Sequence, residues 1–282
     1  MKPYLPDLIM IDLSIVIVNF NTGDLVIDCY RSIENEGSGT VLEVIVVDNG
    51  SADGSVEVFR KLEKENRNFH LIVNSGNFGY AKANNQGAKV SKGKYLLLLN
   101  SDTLVKKNSL GNLVEFARNH PEAGVIGAKL FNVDGSLQAS CFNFPTIKNA
   151  ILEYWFNKKG LLEKFAPKGK LPVVVDAVVG AVFLITPAAR KRVGLLDEKY
   201  WAYFEDIDYC RQCWKRGLKV YYLPGSEIIH YHGVSFKKAT PDDKTRWKRL
   251  IPSSKIYHGV FRHYLINSVI WLGQKWQKIL NV

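Results

Sequence analysis

The chain has 282 residues, 46% of them hydrophobic, enough for one large domain or a domain with an appendage. No apolar run approaches the roughly 18 residues of a membrane-spanning helix, the opening MKPYLPDLIMID lacks the apolar stretch and cleavage site of a secretion signal, and four scattered cysteines (Cys29, Cys141, Cys210, Cys213) make no disulfide framework, so the expected location is the cytoplasm. The formal charge of +11 is uneven: residues 235–282 hold ten Lys or Arg against two Asp, a surplus of eight, which leaves a surplus of three for the rest.

In chain order, LSIVIVNF (residues 13–20) is a near-continuous β-branched run, the pattern of a strand buried on both faces. Residues 24–36 read as a helix, and LEVIVVDNGS as a second buried strand ending in Asp48, Asn49 and Gly50. Helix (55–65), strand (FHLIVN), helix (80–90) and strand (KYLLLLNSD) follow. Alternating strands and helices predict an α/β fold with a mostly parallel, doubly wound sheet. Beyond Asp102 come a helix at 109–119, a strand GVIGAKLF, an irregular stretch at 132–172 and a strand VVVDAVVGAVFLIT. A helix at 206–216 closes at Gly217, and KVYYLPGSEIIHYHG reads as strand, turn and short strand.

Ligands of such sheets collect outside the carboxyl ends of the strands. Those ends are polar here: Asn19-Phe20-Asn21, Asp48-Asn49, Asn74 to Gly79, and Asn100-Ser101-Asp102. Asp102 is a candidate ligand for Mg²⁺ or Mn²⁺, hard cations that bridge oxygen ligands to phosphates, although Asn, Ser and Asp also form plain turns. NSGNFGYAKANNQG surrounds a helix start with three glycines, which suits an anion as well as a simple turn. YFEDIDYC sets Glu205, Asp206 and Asp208 among aromatics. Carboxylates beside apolar groups gain raised pKa values suited to a general base, and helix capping is the plain alternative, favoured for Asp208 but not for Asp206. His230 and His232 share one face of an extended segment and form a weak metal-ligand pair. Cys210 and Cys213 have the spacing of a redox or zinc pair, but within an expected helix and without a second cysteine pair they read as core packing.

Together SIVIVNFN, VIVVDNGSADGS, NSGNFGYAKANNQG, LLLLNSD, VVGAVFLITPAARKRVGLLDEKYWAYFEDIDYCRQCWKRG and VYYLPGSEIIHYHGVS, in that order over residues 13–236, resemble the inverting family 2 glycosyltransferases, most of all their rhamnosyltransferase-type branch. The resemblance implies a GT-A fold over residues 1–236, with a nucleotide-binding half (13–105) and an acceptor half (106–236), followed by a basic helical extension (237–282). It implies transfer of a sugar, with rhamnose a family-level expectation, from a dTDP- or UDP-sugar to a glycan or lipid-linked acceptor in cell-surface polysaccharide assembly. Val18 and Phe20 would line the base pocket and Asp48 would hydrogen-bond the pyrimidine. Asn77, Gly79 and Asn84 would border the nucleotide and diphosphate. Asn100-Ser101-Asp102 matches the Asp-x-Asp position with its first Asp replaced by Asn, which leaves Asp102 as the metal contact beside His230, with His232 as the second choice. Gly180 would leave room for the donor sugar, Asp206 would be the general base, and Glu205 would orient its neighbours.

The tail KTRWKRLIPSSKIYHGVFRHYLINSVIWLGQKWQKIL carries an apolar stripe (Leu265, Ile266, Val269, Ile270, Trp276, Ile279, Leu280) beside Arg262, Lys275 and Lys278. It suits either peripheral contact with the inner face of a membrane or a helix packed on its own domain or on a second subunit. Two other functions compete. A sugar-phosphate nucleotidyltransferase needs a basic, Gly-rich loop after the first strand, where this chain has NFNTGD. A nucleic-acid-binding module is not expected, because no recognised binding motif accompanies the basic tail.

Overall fold

The computed structural model describes residues 10–231 and 243–279. The chain runs β1 (Leu13–Asn19), α1 (Gly23–Glu34), β2 (Leu42–Asp48), α2 (Ser55–Glu65), β3 (Phe69–Val73), α3 (Tyr80–Val90), β4 (Tyr95–Asn100), β5 (Thr103–Val105), α4 (Ser109–Asn119) and β6 (Ala123–Phe131). It continues through β7 (Leu137–Gln138), β8 (Cys141–Phe142), α5 (Ile147–Tyr154), β9 (Val173–Val174), β10 (Ala177–Val178), β11 (Val182–Ile185), α6 (Pro187–Arg192), α7 (Glu205–Lys215), β12 (Lys219–His230), α8 (Asp243–His258) and α9 (Val260–Ile279).

One sheet in the order β3-β2-β1-β4-β11-β6-β12-β5 carries most of the fold. Its first four strands are parallel. β11 enters antiparallel between β4 and β6, β12 returns parallel to β6, and β5 closes the edge antiparallel to β12. The two sequence halves thus share a single sheet.

Both faces of the sheet are covered, which explains the unbroken apolar runs. Leu13, Ile15 and Ile17 of β1 pack with Val26, Tyr30, Ile33, Phe59 and Leu113 from the helices on one side. Val16 packs with Ala81, Ala83 and Ala88 of α3 on the other, in the same cluster as Cys210 and Cys213 of α7. Each fully buried aliphatic side chain contributes about 1.5–3 kcal/mol. Small residues bring α3 close to the sheet: a Cβ at Gly87 would lie 2.5 Å from Val16 Cγ1.

Two expectations are corrected, on residues 132–172 and on the strand at 219–230, while the tail is helical as expected. Residues 132–172 contain α5, β7 and β8 rather than irregular chain alone. KVYYLPGSEIIH is one strand whose Pro224-Gly225 sits in a bulge, where the register shifts between Leu223 and Glu227, and not strand, turn and strand. The tail is two helices. α8 docks on the body through Arg211, whose guanidinium lies 3.8 Å over Tyr257 and whose Nη1 donates to the Tyr257 carbonyl. α9 lies along α5, with Trp155 Nε1 donating to the Val269 carbonyl. His263, Ile266 and Gly273 face inward, while Phe261, Trp271, Leu272 and Ile279 remain exposed. Among the described residues, no helix is long and apolar enough to cross a membrane.

Candidate functional site

The carboxyl ends of β1 and β2 are tied together by one asparagine. Asn19 Nδ2 donates to Asp48 Oδ2 (2.7 Å), Ser51 Oγ (3.0 Å) and Ser55 Oγ (2.9 Å), and its Oδ1 accepts from the Thr22 amide and hydroxyl. Asp48 Oδ1 accepts from the Gly50 and Ser51 amides. Asp48 is fully buried with both oxygens engaged, so it shapes the loop from inside and presents no surface to a ligand. Asn49 continues the web, donating to Asn77 Oδ1 and accepting from Asn74 Nδ2 and the Phe78 amide. Val18 and Phe20 stand partly exposed beside this loop.

The end of β4 meets the end of β12 through the short strand β5. His230 lies opposite Thr103 in their register, and the Tyr231 amide donates to the Asp102 carbonyl (2.9 Å). This pairing brings together two residues far apart in the sequence: His230 Nε2 is 3.4 Å from Asp102 Oδ1, and both side chains are buried. Gln138, on β7, fixes the imidazole. Its Nε2 donates to Asn132 Oδ1 (2.7 Å) and to the His230 carbonyl (3.1 Å). Its Oε1 is therefore left to accept from His230 Nδ1 (2.7 Å). With the proton on Nδ1, the Nε2 lone pair faces Asp102, which is the tautomer of a metal ligand. Two donor atoms cis to each other on an octahedral ion at about 2.1 Å stand about 3 Å apart, so the pair fits one Mg²⁺ or Mn²⁺. No group of three or more such ligands occurs among the described residues. Asp102 and His230 would therefore hold the ion with oxygens supplied by substrate. His232 lies outside the described residues. Asn100 and Ser101 serve the turn: the Asn100 amide donates to the Ala181 carbonyl and its carbonyl accepts from Thr103 Oγ1, while Ser101 Oγ lies 3.2 Å from Thr22 Oγ1.

The third component is the start of α7. Tyr203 and Phe204 both take left-handed backbone (φ 68° and 67°), a strained pair for non-glycine residues that turns the chain sharply into the helix. Asp206, in the first helical turn, accepts from the Gly180 amide through Oδ2 (2.9 Å) and from the Ile207 amide through Oδ1 (2.8 Å). Burial raises the pKa of Asp206, opposed by those two amides and by the charge of Lys164. Glu205 is raised well above the usual carboxylate range by burial and by the neighbouring Asp206 charge, and its Oε2 has no hydrogen-bond partner. Burial pushes both carboxyls up, while the two amides and the Lys164 charge favour the ionised form of Asp206 that a base requires.

Gly180-Ala181 joins the two carboxylate sites. The Ala181 carbonyl holds the end of β4, two residues before Asp102, and the Gly180 amide holds Asp206. Tyr80 donates to the Gly180 carbonyl (2.7 Å). Its pKa is raised well above normal by burial and then by the Glu205, Asp206 and Asp102 carboxylates, all of which it senses. A Cβ at Gly180 would come 3.3 Å from the Tyr80 hydroxyl.

Other predicted residues serve the scaffold. Gly79 (φ 87°) packs where a Cβ would strike the Trp201 carbonyl at 2.5 Å, and buried Asn84 donates to the Tyr80 carbonyl. Asp208 pairs with Arg211, in keeping with its capping reading. Cys210 and Cys213 are buried core thiols, the latter pushed up to about 12 by burial. Three residues at the site went unnamed in the sequence reading: Gln138, Lys164 and Tyr80. Tyr80 lies inside a singled-out motif and Lys164 among the lysines of the 132–172 stretch, but nothing in SLQAS marks Gln138.

The sequence pattern of "Glycosyl transferase family 2" matches residues 14–177. The chain is 25% identical over 264 residues to the low-salt glycan biosynthesis hexosyltransferase Agl10 of Haloferax volcanii, spanning 92% of this chain and 76% of that protein. It is 25% identical over 211 residues to the N-acetylglucosaminyl-diphospho-decaprenol L-rhamnosyltransferase of Mycobacterium tuberculosis, spanning 69% and 68%. Among solved structures, GalNAc-T7 with UDP, GalNAc and Mn²⁺ superposes with a TM-score of 0.61 at 17% identity, covering 78% of this chain and 43% of that one. That likeness concerns the GT-A fold alone.

Proposed function

The chain belongs to glycosyl transferase family 2, and on that premise we propose that it transfers a sugar, with inversion, from a pyrimidine nucleoside-diphosphate sugar to an acceptor hydroxyl. The observation that carries this reading is the placement of Asp102 and Asp206 on either side of Gly180-Ala181. One carboxylate lies 3.4 Å from the Nε2 of a buried histidine; the other accepts from two backbone amides beside a second buried carboxyl. Asp206 removes the proton from the acceptor hydroxyl as its oxygen attacks the anomeric carbon, opposite the departing diphosphate; such general base help is worth about 10²–10⁴ in rate. Asp102 and His230 would hold Mg²⁺ or Mn²⁺, which would supply positive charge against the departing diphosphate. Val18 and Phe20 flank the base over the loop that Asp48 braces, and Asn77 borders the diphosphate.

Rhamnose and a lipid-linked acceptor follow the name of one relative; a dTDP-sugar is the expected donor and a UDP-sugar the alternative. Residues 13–105 serve the nucleotide and 106–236 the acceptor. The exposed side of α9, with Phe261, Trp271 and Ile279 beside Lys275 and Lys278, suits peripheral contact with the inner face of a membrane. A thermal-shift panel of nucleoside diphosphates and their sugars, with and without Mn²⁺, tests the reading. Pyrimidine diphosphates are expected to stabilise the chain, and more so with the metal; a flat response refutes it.

A further inference from the structure

Between the turn that precedes α7 and the face of α8 lies a cavity of about 410 Å³, lined in part by Asn77, Lys199, Trp201, Lys248, Arg249 and Ser253. Three of these are cations, and among the described residues no carboxylate lines the cavity. Lys199 reaches Asp197 at 3.7 Å, but in an exposed pair that screens little of its charge. Arg249 is the unusual member. Its guanidinium sits 3.2 Å from the centre of the Trp201 ring, and its Nη1 is buried without a hydrogen-bond partner. Stacking occupies the flat face of a guanidinium and leaves its in-plane N–H edge for an oxyanion. A buried charged donor without an acceptor is costly, and an anion held beside the guanidinium offsets part of that cost through its charge.

The cavity adjoins the site already described and shares Asn77 with it. The Trp201 carbonyl accepts from the Tyr80 amide, and Ser253 Oγ donates to the Ala202 carbonyl, so α8 is anchored four residues before Asp206. Asp102, His230 and Asp206 do not line it. Trp247 and Ile251, neighbours in sequence of the lining residues of α8, are exposed.

We propose that this cavity is an anion subsite that binds a diphosphate ester. The three cations and the buried Nη1 define the anion site; the choice of a diphosphate rests on the transferase reading, in which both donor and acceptor can carry that group. The test is calorimetric titration of the full chain with inorganic pyrophosphate, UDP and geranyl diphosphate. EDTA is present throughout, so that the Asp102–His230 pair contributes nothing through a metal. Pyrophosphate is expected to bind the wild type and to weaken at least tenfold in Arg249→Gln and in the double variant Lys199→Gln/Lys248→Gln. The lysine variant carries the test if Arg249→Gln fails to fold. If geranyl diphosphate weakens in parallel and UDP does not, the acceptor supplies the anion; if UDP weakens and geranyl diphosphate does not bind, the donor does. Absence of pyrophosphate binding to the wild type, or unchanged affinity in folded variants, overturns the subsite. A wrong transferase reading would show differently, as no sugar transfer with pyrophosphate binding intact.

Discussion

Two loops border the cleft, and they are built on opposite principles. In the 48–55 loop every carboxylate and carboxamide described is engaged: Asp48 accepts three hydrogen bonds, Asn19 donates three, and Asn49 links to Asn74 and Asn77. The 201–206 turn instead has two residues in left-handed backbone, a buried Glu205 oxygen without a partner, and on its flank a buried Arg249 nitrogen without one. Saturated hydrogen bonding makes a rigid template, whereas strain and unmet polar capacity mark the places where chemistry or ligands are accommodated. The first loop shapes; the second acts.

The contrast breaks most visibly at Asp206. Asp206→Asn is expected to lower the transfer rate about 10²- to 10⁴-fold with nucleotide binding retained, measured by donor turnover and by calorimetry with UDP. The wild-type rate should rise with pH above the ordinary carboxylate range, as the pair formed by Glu205 and Asp206 loses its proton. Next comes the template. Asp48→Ala leaves Asn19 and two amides without their acceptor and should cost about 3 kcal/mol in urea unfolding, with a wholly catalytic loss counting against the scaffold role. At the metal pair, Gln138→Leu frees the His230 ring and should weaken Mn²⁺ binding about 10- to 100-fold by electron paramagnetic resonance. The smallest effect sharpens the comparison. Glu205 has a raised folded pKa, so its contribution to stability is present at acid pH and lost as pH rises through that value. Glu205→Gln should therefore raise the melting temperature at alkaline pH by about 2–4 °C and leave it unchanged at acid pH.

The parts legible in the sequence are those where one physical rule dominates. Strands buried on both faces cannot alternate, so β1, β2 and β4 stand out as apolar runs, and α2, α3 and α4 fall where the helical pattern puts them. Elements of two or three residues such as β5, β7 and β8 have too few positions to show a period, and they exist because longer strands offer them an edge. Pro224-Gly225 reads as a turn by composition, yet pairing with β6 on both sides carries the strand through it. Asp48 illustrates the limit at the site: a carboxylate at a strand end looks the same in sequence whether it faces solvent or its own loop. Gln138 matters only through its place beside His230, which no local pattern encodes.

The closure of β5 on β12 also sets an order of events. The Asp102–His230 pair needs residue 230, which follows Thr103, the residue opposite it, by more than a hundred positions of intervening chain, so loop-closure entropy makes this among the last contacts to form. A nascent polypeptide emerging from the ribosome can complete β1 to β4 and their nucleotide-side loops well before it can grip an ion. The Asp102–His230 pair therefore forms only when synthesis has passed the twelfth strand, and a chain truncated ahead of it keeps the template without the pair.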